Sequence, residues 1–296
     1  MTDTAASRYA HLDMKALQVI DMEGSERIIS RWGNLWVGYP RLKKIYDKME
    51  VMLMTPPSTR PRNLLLLGES NVGKTTMLRR WAERKNHEAA EAERLCDPAL
   101  LGEWAHIPVV CIETPPLGDE ARLYENILDK LGFPLPASYS TSAKLRTVVK
   151  LIKVNRVGLI ILDEFHNALP AHFKQLLRFN VILKNLTNET GIPFLVAGTD
   201  MVDQVFQKDD QLHRRFSRAT LERWPYDEDW RTLLRSFQAL IPLRKPSCLD
   251  DEGVARTLHE VSSGRIGDLS YVLHDAALLA VQSGEERITA DLIKPL

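Results

Sequence analysis

Two short segments contain residue types whose spacing fits the chemistry of a nucleoside triphosphate. Residues 68–75 read Gly-Glu-Ser-Asn-Val-Gly-Lys-Thr, which matches the pattern G-x-x-x-x-G-K-[ST]. Residues 159–164 read Leu-Ile-Ile-Leu-Asp-Glu, an apolar run that ends in two acids. Together the two segments predict that the chain binds a nucleotide with magnesium and hydrolyses it.

The first segment has the residue types that a phosphate-binding loop needs. Gly68 and Gly73 can adopt backbone angles closed to other residues, and a helix N-terminus after the loop favours an anion. Lys74 is predicted to reach the β- and γ-phosphates, and the Thr75 hydroxyl is predicted to be a ligand of Mg²⁺. The remaining positions expected to contact the nucleotide are Glu69, Ser70, Asn71, Val72 and Thr76.

The second segment is predicted to be a strand buried on both faces of a parallel sheet. Asp163 would lie at its carboxyl end and contribute to the magnesium shell, and Glu164 would polarise the attacking water. A carboxylate in that second position favours a hydrolase over a passive nucleotide binder.

Several further elements are expected to position these two segments. Apolar runs predict strands at residues 63–67, 106–113, 194–198 and 219–224, with helices between them. Strands that alternate with helices predict an α/β fold with a parallel five-stranded sheet flanked by helices. After Pro225 only helical spacing is found, which predicts a small helical lid. We therefore expect an N-terminal extension at 1–35, a nucleotide-binding domain at 36–225 and the lid at 226–296.

The composition is typical of a globular protein and does not indicate whether the chain binds nucleic acid. The chain has 39 basic and 39 acidic side chains, 44% hydrophobic residues and no C-x-x-C pair, so we predict neither a disulfide nor a zinc site. No apolar run approaches the length of a membrane span, and the N-terminus lacks the layout of a signal peptide. We expect a cytoplasmic protein without a membrane partner, in which any contact with nucleic acid comes from a local patch.

Three polar residues after the second segment could act on the γ-phosphate. Thr199 ends the strand at 194–198 and could hold the attacking water or report the phosphate, provided that this strand lies between the two motif strands; its alternative is a local turn bond. Arg214 or Arg215 could act as an arginine finger across a subunit boundary, although a basic run is more often a solvated face.

Other candidates are less specific. Tyr39 and Pro40 could form an adenine pocket, or they could be an ordinary turn on the core. Arg265 could swing over the nucleotide, or it could be solvated near the glycine that ends a helix. One basic group on a predicted helix could contact DNA phosphates, with a solvated face as the alternative; its members are Lys144, Arg146, Lys150 and Lys153.

The order of these features resembles the AAA+ ATPases, and within them the TniB group of transposition ATPases, related to TnsC. The resemblance covers about residues 35–290. The residues that carry it are Gly68 to Thr76, Asp163-Glu164-Phe165-His166-Asn167, Leu183 to Glu189, Ile192-Pro193, Gly198-Thr199, Asp210-Gln211-Leu212 and Arg215-Phe216.

The resemblance implies an AAA+ type P-loop NTPase fold and an ATP-dependent regulator of DNA transposition. Such a protein uses ATP and Mg²⁺, hydrolyses ATP slowly unless stimulated, and forms a homo-oligomeric ring or helical filament on double-stranded DNA. A DDE transposase and a TniQ-type adaptor are the implied partners. The chain departs from the AAA+ pattern at one place, because Arg265 directly follows Gly264 and the usual position of the lid arginine holds Gly267.

The sequence leaves three other functions open. A helicase loader or replication initiator shares the fold, but the run from Asn185 to Thr199 is more similar to the TniB group. A superfamily 2 helicase would explain Asp163-Glu164-Phe165-His166 as D-E-x-H, but the residues after Pro225 are too few for a second motor domain. A nucleotide-gated scaffold with little turnover would not need Glu164.

Overall fold

The structure is a computed structural model of the 296-residue chain and describes residues 8–33, 35–96, 106–136, 138–168, 173–207 and 210–294. The chain divides into two compact units. The sheet unit comprises Lys43–Ser70 and Lys74–Glu222. The helical unit comprises Met1–Leu42, Asn71–Gly73 and Arg223–Leu296.

The described strands are β1 (Asn63–Leu67), β2 (Val109–Glu113), β3 (Leu159–Asp163), β4 (Phe194–Gly198) and β5 (Phe216–Thr220). The described α-helices are α1 (Met14–Leu17), α2 (Glu26–Trp32), α3 (Lys43–Met54), α4 (Lys74–Cys96), α5 (Glu120–Lys130), α6 (Thr141–Val154), α7 (Phe173–Thr190), α8 (Asp200–Gln207), α9 (Asp210–Arg215), α10 (Glu228–Leu240), α11 (Glu252–Ser262), α12 (Ile266–Gln282) and α13 (Ala290–Ile293). Short 3-10 turns occur at Pro40–Leu42, Pro116–Gly118 and Phe165–Ala168.

The five described strands form a parallel sheet in the order β2-β3-β4-β1-β5, which confirms the predicted sheet. Every residue of β1, β3 and β4 is buried, as their continuous apolar sequences predict for central strands of a parallel sheet. Because parallel strands end at the same edge, the loop after β1 and the acids after β3 lie at one edge of the sheet, with the end of β4 between them.

The predicted bounds of two edge strands were wrong. β2 begins at Val109 and not at residue 106. β5 occupies Phe216–Thr220 and so begins three residues earlier and ends four residues earlier than predicted. The aromatic ring of Phe216 packs edge-on against Phe206 within the core, which places Phe216 in the strand. The chain leaves the sheet after Leu221, and the N–H of Trp224 donates to the carbonyl of Gly264 in the helical unit.

The helix α2, near the N-terminus, belongs to the core of the helical unit. Ile28 of α2 is buried with the apolar faces of α10, α11 and α12. The guanidinium of Arg27, 1% exposed, contacts both carboxylate oxygens of Glu286 at 2.5 Å and donates to the carbonyl of Pro242 at 3.0 Å. A buried arginine needs such an acidic partner to compensate its lost hydration. The contacts connect α2 to residues 242 and 286 of the C-terminal segment. The separate N-terminal extension predicted at 1–35 is thus grouped with the C-terminal helices in the structure.

No helix among the described residues is long and apolar enough to cross a bilayer.

Candidate functional site

The predicted phosphate loop joins β1 to α4. The N–H of Gly68 donates to the carbonyl of Gly198 at 3.1 Å, which holds the start of the loop against the end of β4. Gly73 has φ +97°, a conformation that a side chain would strain, and the following residue, Lys74, begins α4. The glycine therefore turns the chain so that the N-terminus of a 23-residue helix faces the loop.

The ammonium of Lys74 lies inside this loop. Its Nζ donates to the carbonyls of Gly68 and Glu69, both at 2.7 Å, and the residue is 6% exposed. Burial lowers the pKa of Lys74, and the carboxylates of Glu164 and Asp163 oppose that change. A largely buried cation held by main-chain oxygens is well placed to meet the negative charge of phosphate groups.

Asp163 provides an oxygen that the surrounding protein leaves unsatisfied. The residue is 1% exposed, and its Oδ1 accepts a hydrogen bond from the N–H of Glu164 at 2.9 Å. Among the described residues, Oδ2 is buried without a hydrogen-bond partner. Burial raises the pKa of Asp163, and the hydrogen bond from the Glu164 N–H opposes that change. Mg²⁺ prefers such hard oxygen ligands, so Asp163 and Thr75 fit the predicted magnesium site.

Glu164 has two differently bound carboxylate oxygens. Oε1 accepts a hydrogen bond from Thr75 Oγ1 at 3.2 Å, and Oε2 lies 3.1 Å from Nε2 of His166. The backbone of Glu164 has φ +52°, in the left-handed region that is uncommon for a residue with a side chain. Backbone strain of this kind is concentrated at functional sites, where neighbouring contacts enforce it.

The sequence alone did not identify His166 as a member of this site. It lies in the 3-10 turn Phe165–Ala168. In the sequence it belonged to the segment that resembles the TniB group and to a helicase-like D-E-x-H motif, and neither gave it a role. The left-handed backbone at Glu164 and the following turn bring the imidazole back to the carboxylate. That contact depends on backbone conformation, which the residue types did not reveal.

The position of Thr199 meets the condition set by the sequence. β4 lies between β1 and β3, so Thr199 follows the strand that separates the two motif strands. Its carbonyl accepts from the N–H of Val202 as α8 begins. The carboxylate of the next residue, Asp200, is one of those that oppose the lowering of the Lys74 pKa by burial. The sequence pattern did not indicate this role. Thr199 keeps its proposed role, and Asp200 joins the charged groups around the loop.

The three arginines at positions 214, 215 and 218 lie in two different elements. Arg214, which is exposed, and Arg215, which is half-buried, are the last two residues of α9. Arg218 on β5 instead donates to Asp203 at 2.6 Å and contacts His213 at 3.1 Å. Arg218 is therefore used within the sheet unit, while Arg214 presents its side chain to solvent. The side chains at 210–212, part of the family resemblance, lie outside the described residues.

Part of the phosphate loop is bound by the N-terminus of α12, within the helical unit. The amide of Asn71 donates to Asp268 at 2.7 Å, and the carbonyl of Asn71 accepts from the N–H of Gly267 at 2.8 Å. Arg265 pairs with the other carboxylate oxygen of Asp268. The side chain of Arg265 is half-exposed. It is bound by Asp268, the same residue that accepts the hydrogen bond from Asn71.

Gly267 occupies the usual position of the lid arginine because a side chain does not fit there. A Cβ at this position would lie 2.9 Å from the carbonyl oxygen of Asn71 and 3.0 Å from its Cβ. The close approach of the two backbones therefore favours glycine at position 267.

In Gly267→Ala, overpacking is expected to cost about 1–3 kcal/mol against a gain of about 1 kcal/mol from alanine in a helix, so the net destabilisation is up to about 2 kcal/mol. Gly253→Ala on α11 is the matched control, because its added Cβ meets no atom within 4 Å. Urea unfolding should lower the midpoint of Gly267→Ala and raise that of Gly253→Ala. Equal midpoints would contradict the close approach at Asn71.

Tyr39 and Pro40 belong to the helical unit. The ring of Tyr39 meets Trp224 edge-on with centroids 4.7 Å apart, and the guanidinium of Arg41 lies 5.1 Å from the Trp224 ring centroid. Pro40 begins the 3-10 turn that precedes α3. These contacts give the segment an aromatic surface, and its proposed contact with adenine stays a prediction.

The basic group on α6 contains three exposed members and not four. Lys144 is 4% exposed and donates to Glu125 at 2.6 Å, so it is not part of an exposed basic stripe. Its position is on the same helix face as the buried residues Val148 and Leu151. We call the remaining exposed residues, Arg146, Lys150 and Lys153, the basic stripe.

Comparison with known proteins identifies similarities at two levels. A family model described as "Bacterial TniB protein" matches residues 28–226. A comparison with curated proteins gave no match.

Among solved structures, the chain is similar to Cdc6p from Pyrobaculum aerophilum, with 18% sequence identity and a TM-score of 0.61 over 88% of this chain and 67% of that chain. It is also similar to the Orc1 protein of Aeropyrum pernix in complex with DNA, with 16% identity and a TM-score of 0.60 over 95% of this chain and 68% of that chain. These neighbours are AAA+ ATPases, so the predicted AAA+ type P-loop fold is confirmed.

Proposed function

Because the chain belongs to the TniB family, we propose that it is an ATP-dependent, DNA-binding regulator of DNA transposition. It assembles as a homo-oligomer on target DNA, hydrolyses ATP and recruits or activates a DDE transposase. The observation that carries the proposal is the joint presence of the family match and an ordered phosphate site around Lys74, Asp163 and Glu164.

Binding of ATP uses the loop and the residues beside it. Main-chain N–H groups at the start of α4 face the phosphates, and Lys74 exchanges loop carbonyls for β- and γ-phosphate oxygens. Thr75 and Asp163 would hold Mg²⁺, which neutralises charge that develops on the phosphates. Tyr39 and Pro40 are proposed to contact the adenine, and Arg265 to respond to the nucleotide through Asp268.

Hydrolysis requires a group that orients water opposite the bond that breaks. Glu164 is one residue beyond Asp163 and directs Oε1 toward Thr75, so it can accept a hydrogen bond from the attacking water. Thr199, at the end of the intervening strand, is proposed to hold the same water or to contact the γ-phosphate.

Oligomerisation would complete the site. Arg214 or Arg215, at the end of α9, is proposed to stabilise negative charge on the γ-phosphate of a neighbouring subunit, an effect of about 10³ to 10⁵ in rate for arginine fingers. Assembly would therefore depend on nucleotide, and turnover would remove subunits from DNA. A TniQ-type adaptor is the further partner that we propose.

The basic stripe on α6 is the proposed DNA contact. Its three side chains are exposed on one helix and carry no recognition pattern for bases, so they are suited to phosphates and to binding that is independent of sequence.

Charge reversal tests this contact. Arg146→Glu with Lys150→Glu should lower the affinity for duplex DNA more than tenfold and reduce the slope of log K against log salt by about 2, because two phosphate contacts are lost. Arg256→Glu with Lys294→Glu changes the net charge equally at exposed positions of the helical unit and is the control. Equal losses in the two double variants, measured by fluorescence anisotropy, would contradict a specific role for the stripe.

A helicase loader or replication initiator is the second candidate, because the chain shares its fold with Cdc6p and Orc1. The two functions differ in their protein partner. Co-purification with a transposase in the presence of ATP and DNA supports the first, and binding to a replicative helicase supports the second.

A further inference from the structure

One hydrogen-bonding group at the hydrolytic site has no role in the function proposed so far. The imidazole Nε2 of His166 lies 3.1 Å from Oε2 of Glu164, and the two side chains are 36% and 32% exposed. His166 is thus accessible enough to be replaced without opening the core, yet it contacts the acid on which hydrolysis would depend.

The environment of the second ring nitrogen, Nδ1, indicates the tautomer of His166. Among the described residues, its Nδ1 is buried without a hydrogen-bond partner. A buried, unpaired N–H donor is costly, so burial favours the tautomer with the proton on Nε2. Nε2 is the ring nitrogen that lies next to the Glu164 carboxylate.

The turn that carries His166 is fixed at several points. Phe165 is fully buried and packs against Phe179 and Phe206. The amide of Asn167 donates to Glu113 at the end of β2 at 3.0 Å, and the N–H of Asn167 donates to the carbonyl of Glu164 at 2.9 Å. A side chain on such a supported turn can hold its partner in one orientation.

We propose that His166 is a positioning residue for ATP hydrolysis. Its Nε2–H holds Oε2 of Glu164, which leaves Oε1 directed to the side of Thr75, where the attacking water would be polarised. In this arrangement Glu164 is the base for the attacking water, and His166 orients Glu164. Catalytic bases in other enzymes are held by an orienting side chain in the same way. This inference rests on the proposed ATPase activity.

Two substitutions at His166 test it on the full chain. His166→Phe keeps a planar ring and removes the donor, whereas His166→Gln keeps an N–H donor at a similar reach. His87→Phe, at an exposed position of α4, is the control for the change of ring. We would measure kcat and KM for ATP in the presence of duplex DNA, and the affinity for a non-hydrolysable ATP analogue.

We expect His166→Phe to lower kcat about tenfold to a hundredfold, as loss of an orienting partner does elsewhere, with KM and analogue affinity within about twofold of wild type. His166→Gln should recover most of the rate. In a Glu164→Gln background, His166→Phe should cause no further loss, because the group that it orients is already inactive.

A kcat for His166→Phe at or above that of wild type would overturn the inference, and so would a loss confined to KM or an additive loss in the double variant. These results leave the proposed function standing. If instead the wild-type chain hydrolyses no ATP with DNA present, the proposed function itself fails.

Discussion

Glu164→Gln is expected to abolish ATP turnover while leaving nucleotide binding intact. The amide is nearly the same size as the carboxylate and keeps an oxygen that can face Thr75, but it cannot polarise water as an anion does. The loss in kcat should be about 10²- to 10⁴-fold, the range of a general base. Assemblies on DNA should then persist, because the step that releases subunits is blocked.

The control for this variant is Glu83→Gln at an exposed position of α4, which should retain wild-type kcat. Both variants would be compared by phosphate release and by equilibrium binding of ATP. Wild-type turnover in Glu164→Gln would remove Glu164 from the hydrolytic step.

Lys74→Ala is expected to weaken ATP binding at least about a hundredfold. Charge-assisted hydrogen bonds contribute about 1.5–3 kcal/mol each, and the ammonium would make more than one to the phosphates. Lys85→Ala, on the same helix and ion-paired with Glu50 at 2.8 Å, is the control and should bind ATP as the wild type does. Isothermal titration calorimetry gives both affinities, and an unchanged value for Lys74→Ala would contradict the phosphate site.

The same variant also tests action between subunits. Neither Lys74→Ala nor Arg215→Ala should hydrolyse ATP alone, but a mixture should regain part of the activity through interfaces that join an intact loop to an intact arginine. Arg214→Ala in place of Arg215→Ala shows which of the two arginines acts. No recovery in either mixture would count against a finger in trans.

Local patterns in the sequence were sufficient to predict the sheet and most of its helices. The run 159–163 predicted β3, and the spacing after Pro225 predicted α10, α11 and α12. These elements are determined by apolar periodicity and by glycine or proline at their ends, which are properties of neighbouring residues.

Contacts that depend on distant residues could not be predicted in this way. Asn71 and Asp268 meet although 197 residues separate them, and nothing near either residue indicates the other. Lys144 is different, because its spacing from Val148 and Leu151 already placed it on the buried face of α6. Its charge alone did not distinguish Lys144 from the exposed members of the basic group.

His166 lies between these cases. It is only two residues from Glu164, but the contact requires a left-handed backbone at a residue that rarely adopts one. The residue type at position 164 does not reveal this strained backbone. At this site the backbone conformation departs from the intrinsic preference of the residue, as is expected of functional sites.

Imaging of the wild-type protein with duplex DNA, in the presence of ATP or of ADP, tests the central claim most directly. An ATP-dependent regulator that assembles through its nucleotide site should form rings or filaments on DNA with ATP and lose them with ADP, and Lys74→Ala should form none with either nucleotide. Assemblies of equal length and number with ATP, ADP and no nucleotide would contradict the account.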